Sequence, residues 1–154
     1  MKLKICFAAS TGGHFEQLLL LKPLMEKYDS FLLTEKTDFK ACDIENKKTY
    51  YLKQVNRREK LYPFYILINI FKSLGIYLKE RPDIIITTGV LSVIPICMFA
   101  KLFRKKIIFI ESFAKITSHT LTGKFLYKFA DQFYIQWKEL IKFYPNAIYK
   151  GGLY

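Results

Sequence analysis

Asp83-Ile84-Ile85-Ile86-Thr87-Thr88 is an apolar run that opens just after Pro82 and closes on Gly89. A run without polar alternation belongs to a strand covered on both faces, and such strands occur in parallel sheets flanked by helices. The chain repeats the pattern. Leu3 to Ala9, Phe31 to Thr34, Thr49 to Leu52, Lys106 to Ile110 and Phe133 to Gln136 are further short strand-like runs. Between them lie stretches with helical spacing. These are His14 to Lys27, kinked or restarted at Pro23; Phe64 to Lys79, opened by Pro63; Val93 to Phe103, with Pro95 in its first turn; Leu121 to Ala130; and a short one from Lys138 to Phe143. The alternation predicts an α/β fold, a Rossmann-like parallel sheet with helices on both faces, as one domain over residues 1–154. Residues 35–47 read as irregular, 53–60 as a basic loop, and Tyr144 to Tyr154 as a tail.

Right-handed crossovers bring the strand-to-helix loops to the carboxyl edge of such a sheet, where ligands bind. Three loops there carry unusual residues. Ser10-Thr11-Gly12-Gly13-His14 combines glycines, which let a backbone approach a ligand closely, with the start of a helix, whose free amides favour phosphate. His14 is placed to bond a diphosphate or act on a sugar hydroxyl; the plainer alternative is a tight turn with a surface histidine. Thr88-Gly89-Val90-Leu91-Ser92 repeats the glycine and hydroxyl at a helix start, with Ser92 as ligand or as helix cap. Glu111-Ser112-Phe113-Ala114-Lys115 puts a carboxylate directly after a buried strand, as a general base, a sugar anchor, a cap on a neighbouring amide or a partner of Lys115. Neither the dinucleotide Gly-x-Gly-x-x-Gly pattern nor a Gly-Lys-Ser/Thr phosphate loop occurs.

Lys plus Arg number 25 against 13 acids, a net charge of +12 that asks for an anionic partner. Aromatics at 17% beside these cations fit either single-stranded nucleic acid or a membrane interface. The first is disfavoured, because no nucleic-acid module is present and the aromatics fall in apolar runs. The helix Phe64 to Leu78 is apolar around most of its circumference, and Lys101 to Lys128 holds seven basic residues against one acid. Together they make a greasy patch with a cationic rim, or else the helix is buried against the sheet or a partner. No apolar stretch is long enough to span a bilayer. Cys6, Cys42 and Cys97 read as reduced thiols in or near the core. With only His14 and His119 and no paired cysteines, neither a metal nor a cofactor is expected.

Several stretches resemble one family in order along nearly the whole chain: Ser10-Thr11-Gly12-Gly13-His14, Leu21-Lys22-Pro23-Leu24, Glu80-Arg81-Pro82-Asp83 leading to Thr88-Gly89, Phe109-Ile110-Glu111-Ser112-Phe113-Ala114, Leu121-Thr122-Gly123-Lys124, Gln136-Trp137, and Tyr144-Pro145 through Gly151-Gly152. The chain resembles the PssD/CpsF-like oligosaccharide-biosynthesis proteins. It is similar to the membrane-recruiting subunit of the two-part transferase that adds the second GlcNAc to dolichyl-diphosphate-GlcNAc, and more distantly to the N-terminal half of MurG. The resemblance implies the acceptor-side half of a GT-B glycosyltransferase, working with a smaller nucleotide-sugar-binding subunit on a polyprenyl-diphosphate-linked saccharide. It also implies peripheral attachment to the inner leaflet of the cell membrane. His14 and Glu111 would be catalytic. Thr11, Gly12, Gly13, Gly89, Ser92, Ser112 and Lys115 would bind acceptor or diphosphate. Lys115 departs from the family's frequent arginine and gives up bidentate phosphate binding.

Overall fold

A computed structural model describes residues 3–36, 44 and 46–154. Cys42 and most of the stretch read as irregular lie outside the described residues. The elements are β1 (Lys4–Ala9), α1 (Gly13–Leu19), α2 (Lys22–Lys27), β2 (Asp29–Lys36), β3 (Lys48–Lys53), α3 (Tyr62–Glu80), β4 (Ile84–Gly89), α4 (Ile94–Leu102), β5 (Lys106–Ile110), α5 (Leu121–Leu126), β6 (Gln132–Ile135) and β7 (Ile148–Tyr149). Short 3-10 turns cover Leu91–Val93 and Lys138–Lys142.

All neighbouring strands are parallel, in the order β3-β2-β1-β4-β5-β6-β7. The predicted Rossmann-like sheet is therefore present, with one strand more than expected. That strand, β7, has two residues and lies beside β6, with Ile148 opposite Tyr134 and Tyr149 opposite Ile135. The helix expected over 14–27 is two helices broken at Leu20 and Leu21, with Pro23 in the first turn of the second, where its missing N–H costs nothing. The helix expected over 121–130 closes at Leu126, and the chain continues in turns.

The chain moves one way along the sheet from β1 to β3 and the other way from β4 onward. With right-handed crossovers, α1 and α2 lie on one face and α3, α4 and α5 on the other. Alternate strand residues serve the two faces. Cys6, Ala8, Ile85, Ile107 and Phe109 pack with Ile76, Ile96 and Leu126 of the long side. Ile5, Phe7, Ala9 and Ile86 pack with Leu18 and Met25 of the short side. Beyond α2 the short side is thinly covered: an apolar groove of about 300 Å³ runs between Leu21, Leu24, Ile108, Tyr134 and the tail at Leu153. Cys6 and Cys97 are fully enclosed, and burial pushes the Cys97 thiol up to about 12, so neither is a nucleophile.

α3 turns a partly polar side inward. Asn69 is buried, accepts from Lys53 N at 2.8 Å and donates to Lys53 O at 2.7 Å, tying the helix to the end of β3. Ser73 is buried one turn on, and Glu80 closes the helix against Lys4, Lys48 and Tyr50. Burial opposes ionisation of Glu80, yet these hydrogen bonds outweigh it and hold the carboxyl at about 2. Outward, Phe64 (58% exposed), Leu67 (48%), Phe71 (67%) and Leu78 (51%) stand in solvent. Burial of the whole helix, one of the two sequence expectations, does not occur within the chain.

Candidate acceptor site at the carboxyl edge

β1, β4 and β5 are adjacent, with Ala9 opposite Gly89 and Thr87 opposite Phe109, so the three loops leave the sheet side by side. Thr88 Oγ1 donates to the His14 carbonyl at 2.9 Å, which joins the first loop to β4. Phe113 N lies 3.5 Å from Gln17 Oε1, which joins the first helix to the third loop.

The first loop is open. Gly12 has φ +75, a conformation that costs other residues energy, and it caps α1 through its carbonyl, which accepts from Phe15 N and Glu16 N at 2.8 and 3.0 Å. Gly13 needs no positive φ, and a Cβ there would meet nothing within 4 Å. Neither backbone nor packing asks for glycine at 13. Both glycines are exposed and Thr11 is half-buried. His14 is half-buried, with its Nδ1 enclosed and without a hydrogen-bond partner. Burial lowers its pKa; the pull of the Thr88 main chain on the ring and the Glu111 charge act the other way without overcoming it. The imidazole is thus neutral near neutrality.

The third loop is locked. Glu111 is 0% exposed. Its Oε1 accepts from Ser112 N and Thr120 Oγ1, both at 2.9 Å; its Oε2 accepts from Tyr144 OH at 2.6 Å and Thr120 N at 3.3 Å. Thr120 Oγ1 in turn accepts from Gly123 N at 2.8 Å, capping α5. The capping alternative for Glu111 is therefore what the geometry shows. Burial and the Glu111 carboxylate raise the Tyr144 pKa, so its phenol stays a donor. A Cβ on Gly123 would lie 2.2 Å from Glu111 Oε2 and 2.6 Å from Tyr144 OH, which is why glycine stands there. Gln136 Nε2 donates to the Glu111 carbonyl at 2.8 Å, and Trp137 Nε1 to the Phe113 carbonyl at 2.7 Å. Ser112 is nearly buried and Lys115 half-buried at the loop's turn.

The middle loop is enclosed. Gly89 has φ +100 and lies against the Phe109 ring. Ser92 is 1% exposed and does not cap a helix; its hydroxyl lies beside the Glu35 carboxyl, short of a well-formed hydrogen bond. Burial raises the Glu35 pKa, with Ser92 and Val55 N opposing.

Sequence reasoning singled out neither Thr120, Gly123 and Tyr144 nor Gln136 as site residues, although Gly123, Gln136 and Tyr144 fall within the stretches that carry the family resemblance. Among the described residues, no group of three or more His, Cys, Asp or Glu could hold a metal ion.

The family model described as "Oligosaccharide biosynthesis protein Alg14 like" matches residues 11–153. The chain belongs to this family. The match begins at Thr11, inside the first loop, and takes in the other two loops and the Tyr144 tie. Among curated relatives, the UDP-N-acetylglucosamine transferase subunit ALG14 of Yarrowia lipolytica is 27% identical over 97% of this chain and 81% of its own length. The human protein of that description is 25% identical over 98% and 83%. Among solved structures, Acinetobacter baumannii MurG superposes with a TM-score of 0.69 at 18% identity, and a Rickettsia bellii UDP-N-acetylglucosamine 2-epimerase with 0.75 at 14%. The Alg14-like chain covers 89% and 99% of itself in these superpositions but only 42% and 46% of those structures. It shares their fold over less than half of their length.

Proposed function

We propose that this chain is the acceptor-binding, membrane-associating subunit of a two-component glycosyltransferase. It transfers a sugar from a UDP-sugar to a saccharide on polyprenyl diphosphate. The resemblance of its loops to PssD/CpsF-like proteins supports capsule or exopolysaccharide synthesis on undecaprenyl diphosphate as the setting. The observation that carries the reading is the open glycine turn beside His14. Gly13 is a glycine that neither conformation nor packing requires, at an edge where amides can meet a diphosphate.

In this reading Thr11, Gly12 and Gly13 hold the diphosphate, with Ser112 and Lys115 on the facing rim. The neutral His14 imidazole takes the proton of the attacking sugar hydroxyl or bonds the diphosphate. Glu111 is withdrawn from the reacting atoms and acts as a positioning residue that holds the rim. Gly89 and Ser92, both enclosed, shape the floor. The other half of the architecture, the nucleotide-sugar domain, is the smaller partner subunit.

No helix among the described residues is long and apolar enough to cross a membrane. Attachment to the inner leaflet is supported instead by α3, whose outward Phe64, Leu67 and Phe71 face solvent beside Lys72 and Lys79. Each buried apolar side chain contributes about 1.5–3 kcal/mol, and each lysine near an anionic surface about 1 kcal/mol.

A second reading is a scaffold that recruits a catalytic partner without contributing a reacting group; the enclosure of Glu111 favours it. The test is an assay with this chain, the partner, and both, each offered UDP-sugar and lipid acceptor. Transfer by the pair alone supports the proposal. Full transfer by the partner alone overturns an essential role for this chain.

A further inference from the structure

A second candidate site lies away from the glycine turn. α5 and the segment after β6 enclose a cavity of about 230 Å³ lined by His119, Lys124, Tyr127, Lys128, Phe143 and Tyr144. Its chemistry is one-sided. Lys124 and Lys128 stand one turn apart, both exposed, and neither has an acidic partner among the described residues. Like charges at this spacing repel until an anion lies between them. The Lys142 ammonium sits 5.0 Å from the centre of the Phe143 ring, a residue that lines the cavity.

The wall carries polar groups. The His119 ring is fixed against Phe143 and Tyr144, at 5.1 and 6.3 Å between centroids, and its Nδ1 is buried without a partner. Tyr127 already accepts from Asn146 N at 2.8 Å, which leaves its own proton for a ligand. Two lysines, a histidine and a tyrosine lining one small cavity with no carboxylate among them match a compact oxyanion with several acceptors.

We propose that this cavity binds a phosphate group, either free phosphate or the phosphomonoester headgroup of an anionic lipid. Leu121 and Phe125 of α5 and Ile141 of the segment after β6 are exposed apolar side chains on the same two stretches of chain and suit the second source. The site also touches the locked loop: Tyr144 lines the cavity and holds Glu111, and His119 adjoins Thr120.

The chain has only two histidines, so their ring signals are separable by NMR. The full chain is titrated with inorganic phosphate, with K124Q/K128Q as the variant; both lysines are exposed, and an unmoved His14 signal in the free variant reports an intact fold. Saturable movement of the His119 signal, weakened about tenfold or more in K124Q/K128Q while any His14 response is kept, supports the site. No movement at His119, or equal movement in the variant, overturns it. Phosphatidylcholine vesicles with and without phosphatidic acid then separate the sources. A headgroup ligand makes phosphatidic acid vesicles compete with phosphate at His119, and K124Q/K128Q weakens their sedimentation with the chain. A free anion leaves the phosphate titration unchanged by either vesicle. Both outcomes keep the site.

Discussion

Two loops leave the same edge of the sheet and are built in opposite ways. The turn 10–14 is open: both its glycines are exposed, and Cβ atoms there would touch nothing. The loop 111–120 is closed: a fully buried carboxylate gathers donors from Ser112, Thr120 and Tyr144, and Gln136 and Trp137 hold its backbone from beyond β6. The difference teaches where function and stability separate. A loop with empty space above it can be changed at the expense of binding. A loop whose polar groups are mutually satisfied can be changed only at the expense of the fold.

Substitutions should divide accordingly. Gly123→Ala forces a methyl into the Glu111 and Tyr144 oxygens and should cost about 3 kcal/mol in denaturant unfolding. A loss under about 1 kcal/mol would show that the loop yields, and the contrast would fail. Glu111→Gln puts an amide donor among donors and should cost about 2–3 kcal/mol, with Tyr144→Phe nearer 1 kcal/mol. Both should lower transfer in proportion to lost fold rather than change its pH profile.

Glu80→Gln, at the opposite end of the sheet, separates general buried-carboxylate effects from loop effects. It should cost about 2 kcal/mol near neutrality and leave acceptor affinity unchanged. Because the folded carboxyl titrates at about 2, below its ordinary 4.5, its stabilisation is full above about 4.5 and is lost as pH falls toward 2. Wild type and variant should therefore converge in unfolding free energy in acid. Gly13→Ala gives the smallest change in stability, a gain of up to about 1 kcal/mol from helix propensity, with weaker acceptor binding. A gain in stability at unchanged acceptor affinity would remove the reason for glycine at 13.

The sheet was legible because its strands are continuous apolar runs bounded by turn residues, and because helices alternate with them. β7 was not: two residues carry no periodicity, and Ile148 and Tyr149 become a strand only by lying beside β6. The break at Leu20 and Leu21 was half legible, since Pro23 marks a restart but not where the preceding helix stops. Glu111 could be placed at the ligand edge from its position after β5. Its enclosure could not, because the donors come from 9 and 33 residues away, through Thr120 and Tyr144. The outward face of α3 was legible only as one of two alternatives, because what turns the other face inward lies on a distant strand. The end of β3 supplies Asn69 with both its partners, and that pairing joins residues 16 apart in the chain.

The central claim is that the open turn meets the acceptor while the closed loop only holds the rim. The most direct measurement compares His14→Ala with wild type in the reconstituted pair, reading transfer to lipid acceptor and thermal unfolding of this chain. The account predicts transfer lower by about a hundredfold or more, with an unchanged melting temperature. Undiminished transfer by His14→Ala would contradict it and leave the chain a scaffold.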